Sequence, residues 1–357
     1  LWKLFRESYE LISRVRNVPI IGPTAFSVLE KLQNISPYYP FKDRSRPSLQ
    51  LKSLYSLIHR GMGYSLFNMI KSQDIRLPII TSFYASAIAA EELTDLPVYC
   101  IICDTDINRV WVAENPKKSR IIYFAPCAQA LRRLKQYGVP DERIFLTGFP
   151  LPDENLGGPS LSILREDLKD RLIRLDPTKQ FRTIHGKEAM HYLGTDDLEG
   201  PSGKPLTITY AVGGAGAQTE IAEQLLKSLA PLIKNGDIRI NLVAGIRSGV
   251  NSLFLQYLEE NGLRDCKAAR IIYQPDLNDY FYEFNQALRS TDILWTKPSE
   301  LSFYCGLGLP IIISPPIGPH EVCNSRWLQA IGAGIPQEDP RYCSEWIMDY
   351  LSDGRLS

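Results

Sequence analysis

Residues 206–218 read LTITYAVGGAGAQ, an apolar β-type run that passes through a glycine-rich turn into a helical pattern. Small residues at such a turn let the backbone approach an oxygen anion, and a helix N-terminus offers unpaired N–H groups. The stretch predicts an anion-binding loop at Gly213, Gly214, Ala215 and Gly216. Its spacing is GGxG rather than GxGxxG, and the chain has no GxxxxGKS or GxxxxGKT sequence, which excludes a P-loop. A tight turn without a ligand is the alternative interpretation.

The alternation of strands and helices continues on both sides of this stretch. Downstream, further strands are predicted at IRINLVAG, RIIYQP, DILWTK and PIIISPP. Upstream, four more are predicted at LPIITSF, PVYCIICDTD, RIIYFAP and RIFLTGFP. Such alternation is typical of parallel sheets built from βαβ units. Because the 357 residues exceed one usual domain, two α/β domains are expected.

A Pro- and Gly-rich joint, LPDENLGGPS, marks the predicted boundary between the two domains. We expect an N-terminal domain over residues 1–155 and a C-terminal domain over residues 156–340. Within the latter, residues 176–204 are polar and weakly periodic, which predicts an insertion or a mobile loop. Residues 341–357 predict a C-terminal helix.

The charge of the chain is balanced overall but not locally. Forty Lys and Arg residues match forty Asp and Glu residues, which disfavours a general nucleic-acid binder. Residues 1–76 carry twelve basic against five acidic residues, which favours contact with an anionic membrane or a phosphate-bearing acceptor. A solvated helical surface explains the same pattern equally well. No apolar run is long enough to span a bilayer, and the chain starts without a signal peptide.

Polar side chains also follow two later strands of the C-terminal half. Ser299 and Glu300 come after DILWT, and His320, Glu321 and Asn324 come after PIIIS. Loops that follow parallel strands meet at one sheet edge, where open α/β sheets bind ligands. Taken singly, His320 is equally explained as a helix cap and Glu321 as a solvated surface group. The convergence of these loops with the glycine-rich turn favours a binding site.

The motifs GGAGAQ, KPSELSFYCGLGLPIII and PPIGPHEVCNSRWL, in this order, resemble the nucleotide-sugar half of GT-B glycosyltransferases. Within this family the motifs resemble those of monogalactosyldiacylglycerol synthase, processive diacylglycerol glucosyltransferases and the N-acetylglucosaminyltransferase that completes lipid II. The match covers residues 206–340, with a thinner likeness at ITSFYASA, IICDTD and YGVPDERIFLTGFP. It implies two Rossmann-like domains with parallel sheets that face each other across a cleft. It also implies that the segment 341–357 packs back toward the N-terminal domain.

The resemblance assigns roles to the candidate residues. The glycine-rich loop at 213–216 would hold the donor diphosphate, and Arg247 would neutralise phosphate charge. Tyr273 and Gln274 would border the nucleobase. His320 and Glu321, followed by Asn324, would bind the sugar.

Two features depart from the family pattern. Phe303 stands where a glutamate commonly holds the ribose hydroxyls, and Glu300 is the nearest acid. Either Glu300 takes this role or the ribose is held differently. In addition, residues 1–76 contain no GxGH-like turn, which carries a frequent base candidate in the family. Because the chain begins at a Leu in a helical pattern, we expect the N-terminal domain to lack its first strand and loop; a divergent acceptor domain is the alternative explanation.

The activity implied by the resemblance is transfer of a sugar from a nucleoside diphosphate, most often UDP, to a lipid or other hydroxyl acceptor. We expect an inverting, metal-independent enzyme without a cofactor, in the cytoplasm or at a membrane surface, that does not bind nucleic acid. Asp104 and Asp106 are the candidate bases, with turn capping as their alternative role. A sugar-nucleotide 2-epimerase and a non-catalytic nucleotide-sugar-binding protein are the competing hypotheses.

Overall fold

The computed structural model describes residues 35–73, 76–199, 203–212 and 216–357. The chain divides into two compact units. The first unit contains residues 1–149 and 317–324, and the second contains residues 150–316 and 325–357.

The described part of the first unit combines a four-stranded parallel sheet with helices. Its strands lie side by side in chain order: β1 (Ile79–Thr81), β2 (Val98–Ile101), β3 (Ile122–Ala125) and β4 (Ile144–Leu146). The helices are α1 (Leu49–His59), α2 (Tyr64–Ser72), α3 (Tyr84–Leu93) and α4 (Ala128–Gln136). Short 3₁₀ turns occur at Arg109–Trp111 and Asp141–Arg143.

The second unit has a larger parallel sheet with a doubly wound topology. Its strands are β5 (Leu206–Ala211), β6 (Ile238–Gly245), β7 (Ala269–Tyr273), β8 (Ile293–Thr296), β9 (Ile311–Ile313) and β10 (Gly334–Pro336). They lie in the order β10-β9-β8-β5-β6-β7. The chain builds outward from β5 in one direction and outward from β8 in the other. The strand order therefore reverses between β5 and β8, which is the topological switch point of this sheet.

Eight further helices follow β4 in the described part of the chain. They are α5 (Asp153–Leu156), α6 (Ser162–Leu175), α7 (Gln180–Leu193), α8 (Thr219–Asn235), α9 (Ser248–Glu260), α10 (Leu277–Ser290), α11 (Pro319–Ala330) and α12 (Cys343–Ser352). Further 3₁₀ turns span Gly158–Ser160, Glu300–Leu307 and Pro340–Tyr342. Among the described residues, no helix is long and apolar enough to cross a membrane.

The core of the second unit explains why LTITYA is apolar throughout. All residues of β5 are buried, as expected for a central parallel strand covered on both faces. Trp295 of β8 is fully buried between Tyr210 and Trp346, and its indole N–H donates to Gln337 at 3.0 Å. The sheet and its aromatic cluster give the site above it a rigid base.

The C-terminal segment 341–357 contains a helix, and its predicted packing toward the N-terminal domain stays a prediction. Its helix α12 belongs to the second unit and lies on α8. The Ser228 and Ser344 hydroxyls are 2.9 Å apart, and the Cys343 thiol lies 3.8 Å from the Leu225 carbonyl oxygen. This contact with α8 covers the buried face of α12, which includes Trp346.

The polar segment 176–204 was expected to be an insertion or mobile loop, but it contains the regular helix α7. Asp176 is fully buried, and its carboxylate accepts from the backbone N–H groups of Phe181 (3.1 Å) and Arg182 (2.9 Å) in the first turn. Only Gly186 is buried within α7. The helix therefore lacks the apolar periodicity by which sequence patterns reveal helices.

Candidate functional site

The carboxyl ends of the central strands of the second sheet lie level with one another. Ala211 of β5 pairs with Val243 of β6 and with Thr296 of β8, and Thr296 pairs with Ile313 of β9. The Thr296 hydroxyl donates to the Ala211 carbonyl oxygen at 3.1 Å. The loops that leave these strands consequently start side by side at the switch point, where doubly wound sheets bind their ligands.

The loop after β5 is the predicted anion-binding turn. Gly213, Gly214 and Ala215 lie outside the described residues, so their predicted role stays a prediction. Gly216 has a φ of +70°, a left-handed conformation that favours glycine. A Cβ at Gly216 would lie 3.1 Å from Val250 Cγ2, so the space beside it is tight.

The start of α8 is tied to the neighbouring loops. The Tyr210 hydroxyl donates to the Gln218 carbonyl oxygen at 2.6 Å, and burial raises the pKa of Tyr210, so it is a neutral donor. The Gln218 amide donates to the Pro315 carbonyl oxygen at 2.8 Å. This contact joins the turn after β5 to the loop after β9 and fixes the helix N-terminus at the switch point.

Three buried serine hydroxyls at this edge have no hydrogen-bond partner among the described residues. They belong to Ser299 and Ser302 after β8 and to Ser314 after β9. Ser299 is 4% exposed, Ser302 2% and Ser314 0%. A buried hydroxyl without a partner costs free energy, and such groups in native proteins call for a specific explanation. A polar ligand at the switch point supplies one. Sequence analysis singled out Ser299 but missed the other two, although Ser314 directly follows β9.

Arg247 places a positive charge at this edge. It follows β6, is exposed, and precedes the first residue of α9. Its Cδ lies 3.5 Å from the position of a Cβ at Gly216, so Arg247 lies beside Gly216, and its predicted role at a phosphate stays a prediction. No carboxylate in the described part of the chain forms an ion pair with it. The guanidinium is therefore available to an anionic ligand.

The predicted nucleobase residues lie further along the edge. Tyr273 ends β7 and is half-buried. The Gln274 amide donates to Glu283 at 2.9 Å, and the same carboxylate accepts from Arg270 at 3.1 Å. Gln274 is thus held by a protein partner, whereas the Tyr273 ring contributes apolar surface.

Glu300 begins the 3₁₀ helix Glu300–Leu307, and its predicted role at the ribose stays a prediction. Phe303 of that helix is half-buried, and its ring centroid lies 4.5 Å from that of Tyr304. Both residues pack at the apolar cluster that includes Phe284. At Phe303 the chain therefore has a core contact where the family pattern has a carboxylate.

The segment 317–324, placed by sequence in the C-terminal domain, belongs to the first unit. Within it, the buried Glu321 carboxylate accepts from the backbone N–H of Ile317 at 2.7 Å, closing the turn before α11. His320 is partly exposed, with its Nε2 4.0 Å from Glu321 Oε1. Glu321 therefore stabilises its own loop, and its predicted contact with a sugar stays a prediction, like that of His320.

Asn324 forms hydrogen bonds with two residues of the first unit. Its Oδ1 accepts from the backbone N–H (2.9 Å) and the hydroxyl (2.8 Å) of Thr105, and its Nδ2 donates to Asp104 at 3.0 Å. The residue is 1% exposed. These bonds tie the segment to the first unit, and the predicted contact of Asn324 with a sugar stays a prediction.

The two candidate bases differ in environment. Asp106 is 2% exposed, and its carboxylate accepts from Arg133 Nε at 2.6 Å and Nη2 at 2.8 Å. Burial disfavours the charged guanidinium, but the hydrogen bond and charge of Asp106 outweigh it and raise the pKa of Arg133. Gln129 donates to the second Asp106 oxygen at 3.1 Å. Asp106 therefore forms a buried ion pair with Arg133. Asp104, which is half-buried, remains the candidate for the catalytic base.

Comparisons with known proteins support the fold more than any activity. A family model described as a domain of unknown function (DUF6938) matches residues 247–348. A search of the curated proteins finds no match. A solved structure of a Listeria monocytogenes protein assigned as a UDP-N-acetylglucosamine 2-epimerase is similar, with 12% identity and a TM-score of 0.50. The match covers 85% of this chain and 74% of that one.

Two further solved structures match at lower similarity. The Neisseria meningitidis UDP-GlcNAc 2-epimerase bound to UDP-GlcNAc matches at 13% identity and a TM-score of 0.49, covering 90% of this chain and 80% of that one. Acinetobacter baumannii MurG matches at 16% identity and a TM-score of 0.42, covering 95% and 82%. The α/β fold with two parallel sheets is thus of the GT-B class, as the sequence predicted.

Proposed function

We propose that this chain binds a nucleoside-diphosphate sugar, with UDP as the nucleotide, at the switch point of its second sheet and transfers the sugar to a hydroxyl acceptor. The observation that carries the proposal is the set of unpartnered buried hydroxyls, Ser299, Ser302 and Ser314, beside a glycine-rich turn at level strand ends. These groups donate hydrogen bonds to a polar ligand without a competing protein acceptor. A diphosphate, with its many acceptor oxygens, suits such a set of donors.

The charges at this edge suit a leaving diphosphate. Backbone N–H groups at the start of α8 and the exposed Arg247 guanidinium both stabilise the negative charge that develops as the glycosidic bond breaks. An inverting transfer also requires a base that takes the proton from the acceptor hydroxyl. For this role we retain Asp104, because Asp106 is already bound by Arg133.

Epimerisation of a nucleotide sugar is the second candidate. The neighbour with a TM-score of 0.50 is assigned as a UDP-N-acetylglucosamine 2-epimerase, and the same donor site would serve either reaction. An epimerase moves a proton at a sugar carbon and needs no acceptor, so the products separate the two activities.

The test has two stages. A thermal-shift screen against UDP-, GDP-, ADP- and dTDP-sugars first identifies the nucleotide, because a ligand that binds only the folded state raises the melting temperature. The stabilising donor is then incubated with and without hydroxyl acceptors, and the sugar products are separated. Acceptor-dependent loss of donor supports transfer, and a new sugar epimer without acceptor supports epimerisation. The proposal is wrong if no nucleotide sugar stabilises the protein.

A further inference from the structure

Three aromatic rings meet beside the end of β1 in the first unit. Phe83 directly precedes α3, Tyr84 is the first residue of that helix, and Trp111 ends a 3₁₀ turn. The ring centroids of Phe83 and Tyr84 lie 4.6 Å apart, and those of Tyr84 and Trp111 lie 5.3 Å apart. All three side chains are half-buried. These three residues, here called the ring cluster, therefore keep part of their aromatic surface accessible.

The two polar tips of the ring cluster have no partner among the described residues. Neither the Tyr84 hydroxyl nor the Trp111 indole N–H donates a hydrogen bond within that part of the chain. Burial raises the pKa of Tyr84, so its phenol stays protonated and is a neutral donor. Tyrosine O–H and tryptophan N–H groups usually find a partner when their rings are withdrawn from water. A ligand with hydroxyl or carbonyl oxygens would supply one for each tip.

Hydrogen bonds fix the backbone that carries the rings. The Tyr123 hydroxyl of β3 donates to the Trp111 carbonyl oxygen at 3.2 Å. The backbone N–H of Trp111 donates to the Asn108 carbonyl oxygen at 3.3 Å. The backbone N–H of Phe83 donates to the Thr81 hydroxyl at 3.2 Å. Because the rings are positioned before any ligand arrives, little conformational entropy is lost when one binds.

The angles between the rings favour a puckered ligand over a flat one. The planes of Tyr84 and Trp111 are inclined at 54°, and those of Phe83 and Tyr84 at 48°. Inclined rings form an open angle rather than the parallel walls that would enclose a planar base. Asp104 follows β2, the strand that pairs with β1, and a carboxylate accepts hydrogen bonds from hydroxyls and repels phosphate. The surroundings therefore suit an uncharged ligand that is rich in hydroxyl groups.

We propose that the ring cluster is a binding site for an uncharged pyranose sugar. The apolar C–H face of the sugar would lie on the rings of Tyr84 and Trp111, and its hydroxyl groups would accept from the two polar tips. Rings that combine an apolar body with a polar tip match a ligand that has both kinds of surface. The site lies in the first unit alone, and the proposal holds whether or not the second unit transfers a sugar.

The test is saturation-transfer NMR on the full chain without nucleotide, with methyl β-glucoside, methyl β-galactoside and methyl β-N-acetylglucosaminide as probes. We expect saturation of the ring protons of at least one probe and a Kd of about 1–10 mM. Tyr84→Phe keeps the ring and removes only the hydroxyl, so it should bind about three- to tenfold more weakly at an unchanged melting temperature. Trp111→Ala should weaken binding by about tenfold or more, because it removes both the stacking surface and the N–H donor.

Tyr99→Phe is the matched control, because Tyr99 is a half-buried tyrosine on β2 of the same sheet. It should bind the sugar like the wild type. Tyr84→Phe alone decides the test if Trp111→Ala melts early. The proposal fails if no probe binds, if the variants of the ring cluster bind as the wild type does, or if binding of uridine or dioctanoylglycerol, rather than of a sugar, depends on Trp111. Titration of the same samples with UDP tests the proposed donor site separately, and all variants should keep the wild-type UDP affinity.

Discussion

Replacing Ser299 by alanine should change ligand affinity and protein stability in opposite directions. The Ser299 side chain is 4% exposed, and its hydroxyl has no partner within the described residues. In the ligand-free protein the hydroxyl is a desolvated polar group, which costs about 1–3 kcal/mol. Ser299→Ala removes that cost and leaves little unfilled space, because only one atom is lost. The unliganded variant should therefore be more stable than the wild type.

The expected changes in melting temperature and in UDP affinity are both large enough to measure. A gain of about 1 kcal/mol raises the melting temperature by about 2–4 °C for a unit of this size. A hydrogen bond to a charged phosphate contributes about 1.5–3 kcal/mol, so UDP should bind about ten- to hundredfold more weakly. Calorimetric unfolding gives the first quantity and isothermal titration with UDP gives the second.

Ser228→Ala is the matched control, because the Ser228 hydroxyl is satisfied by Ser344 through contacts of 2.9 and 3.0 Å. That variant should lose about 1 kcal/mol of stability and keep its UDP affinity. If Ser299→Ala destabilises the protein and binds UDP as well as the wild type, Ser299 is a structural residue and the reasoning is refuted.

Three further predictions follow from the site and its surroundings. Arg247→Gln should weaken UDP binding about tenfold at low salt without changing the melting temperature, since the side chain is exposed; equal affinity at all salt concentrations would exclude a phosphate contact. Asp106→Asn should destabilise the protein by about 3–5 kcal/mol in urea unfolding, because it leaves the buried Arg133 guanidinium without its carboxylate; a loss below about 1 kcal/mol would contradict the ion-pair role. Asp104→Asn should abolish acceptor-dependent turnover while UDP affinity stays unchanged; full activity would remove Asp104 as the base.

Sequence patterns predicted most of the sheets because parallel strands are buried on both faces. Short apolar runs such as LTITYA and DILW are bounded by polar or glycine residues, so their positions are visible without a structure. The strand Gly334–Pro336 was missed, since a run of Gly, Ile and Pro carries no strand pattern. Helix α7 was missed for the opposite reason, because its residues are mostly exposed and the Asp176 carboxylate that accepts from its first turn lies before the helix and in no apolar stripe.

The site was predictable where it depends on position along a strand. Ser299 and Arg247 follow strand ends, and the topology brings both to the same edge of the second sheet. The position of Asn324 was not predictable, because its partners Thr105 and Asp104 lie more than two hundred residues away in sequence. A single sequence contains no signal for a hydrogen bond of that range. The ion pair of Asp106 was hidden for a similar reason, since the motif DTD indicates a turn or a base equally well.

The most direct test of the central claim is a crystal structure of this protein with UDP. The account predicts a diphosphate at the carboxyl ends of β5 and β8, within about 3 Å of the Ser299 hydroxyl and of backbone N–H groups in residues 213–218. It also predicts the Arg247 guanidinium beside a phosphate oxygen. UDP bound with its diphosphate at any other place, with the hydroxyls of Ser299 and Ser314 still unpartnered, would contradict it.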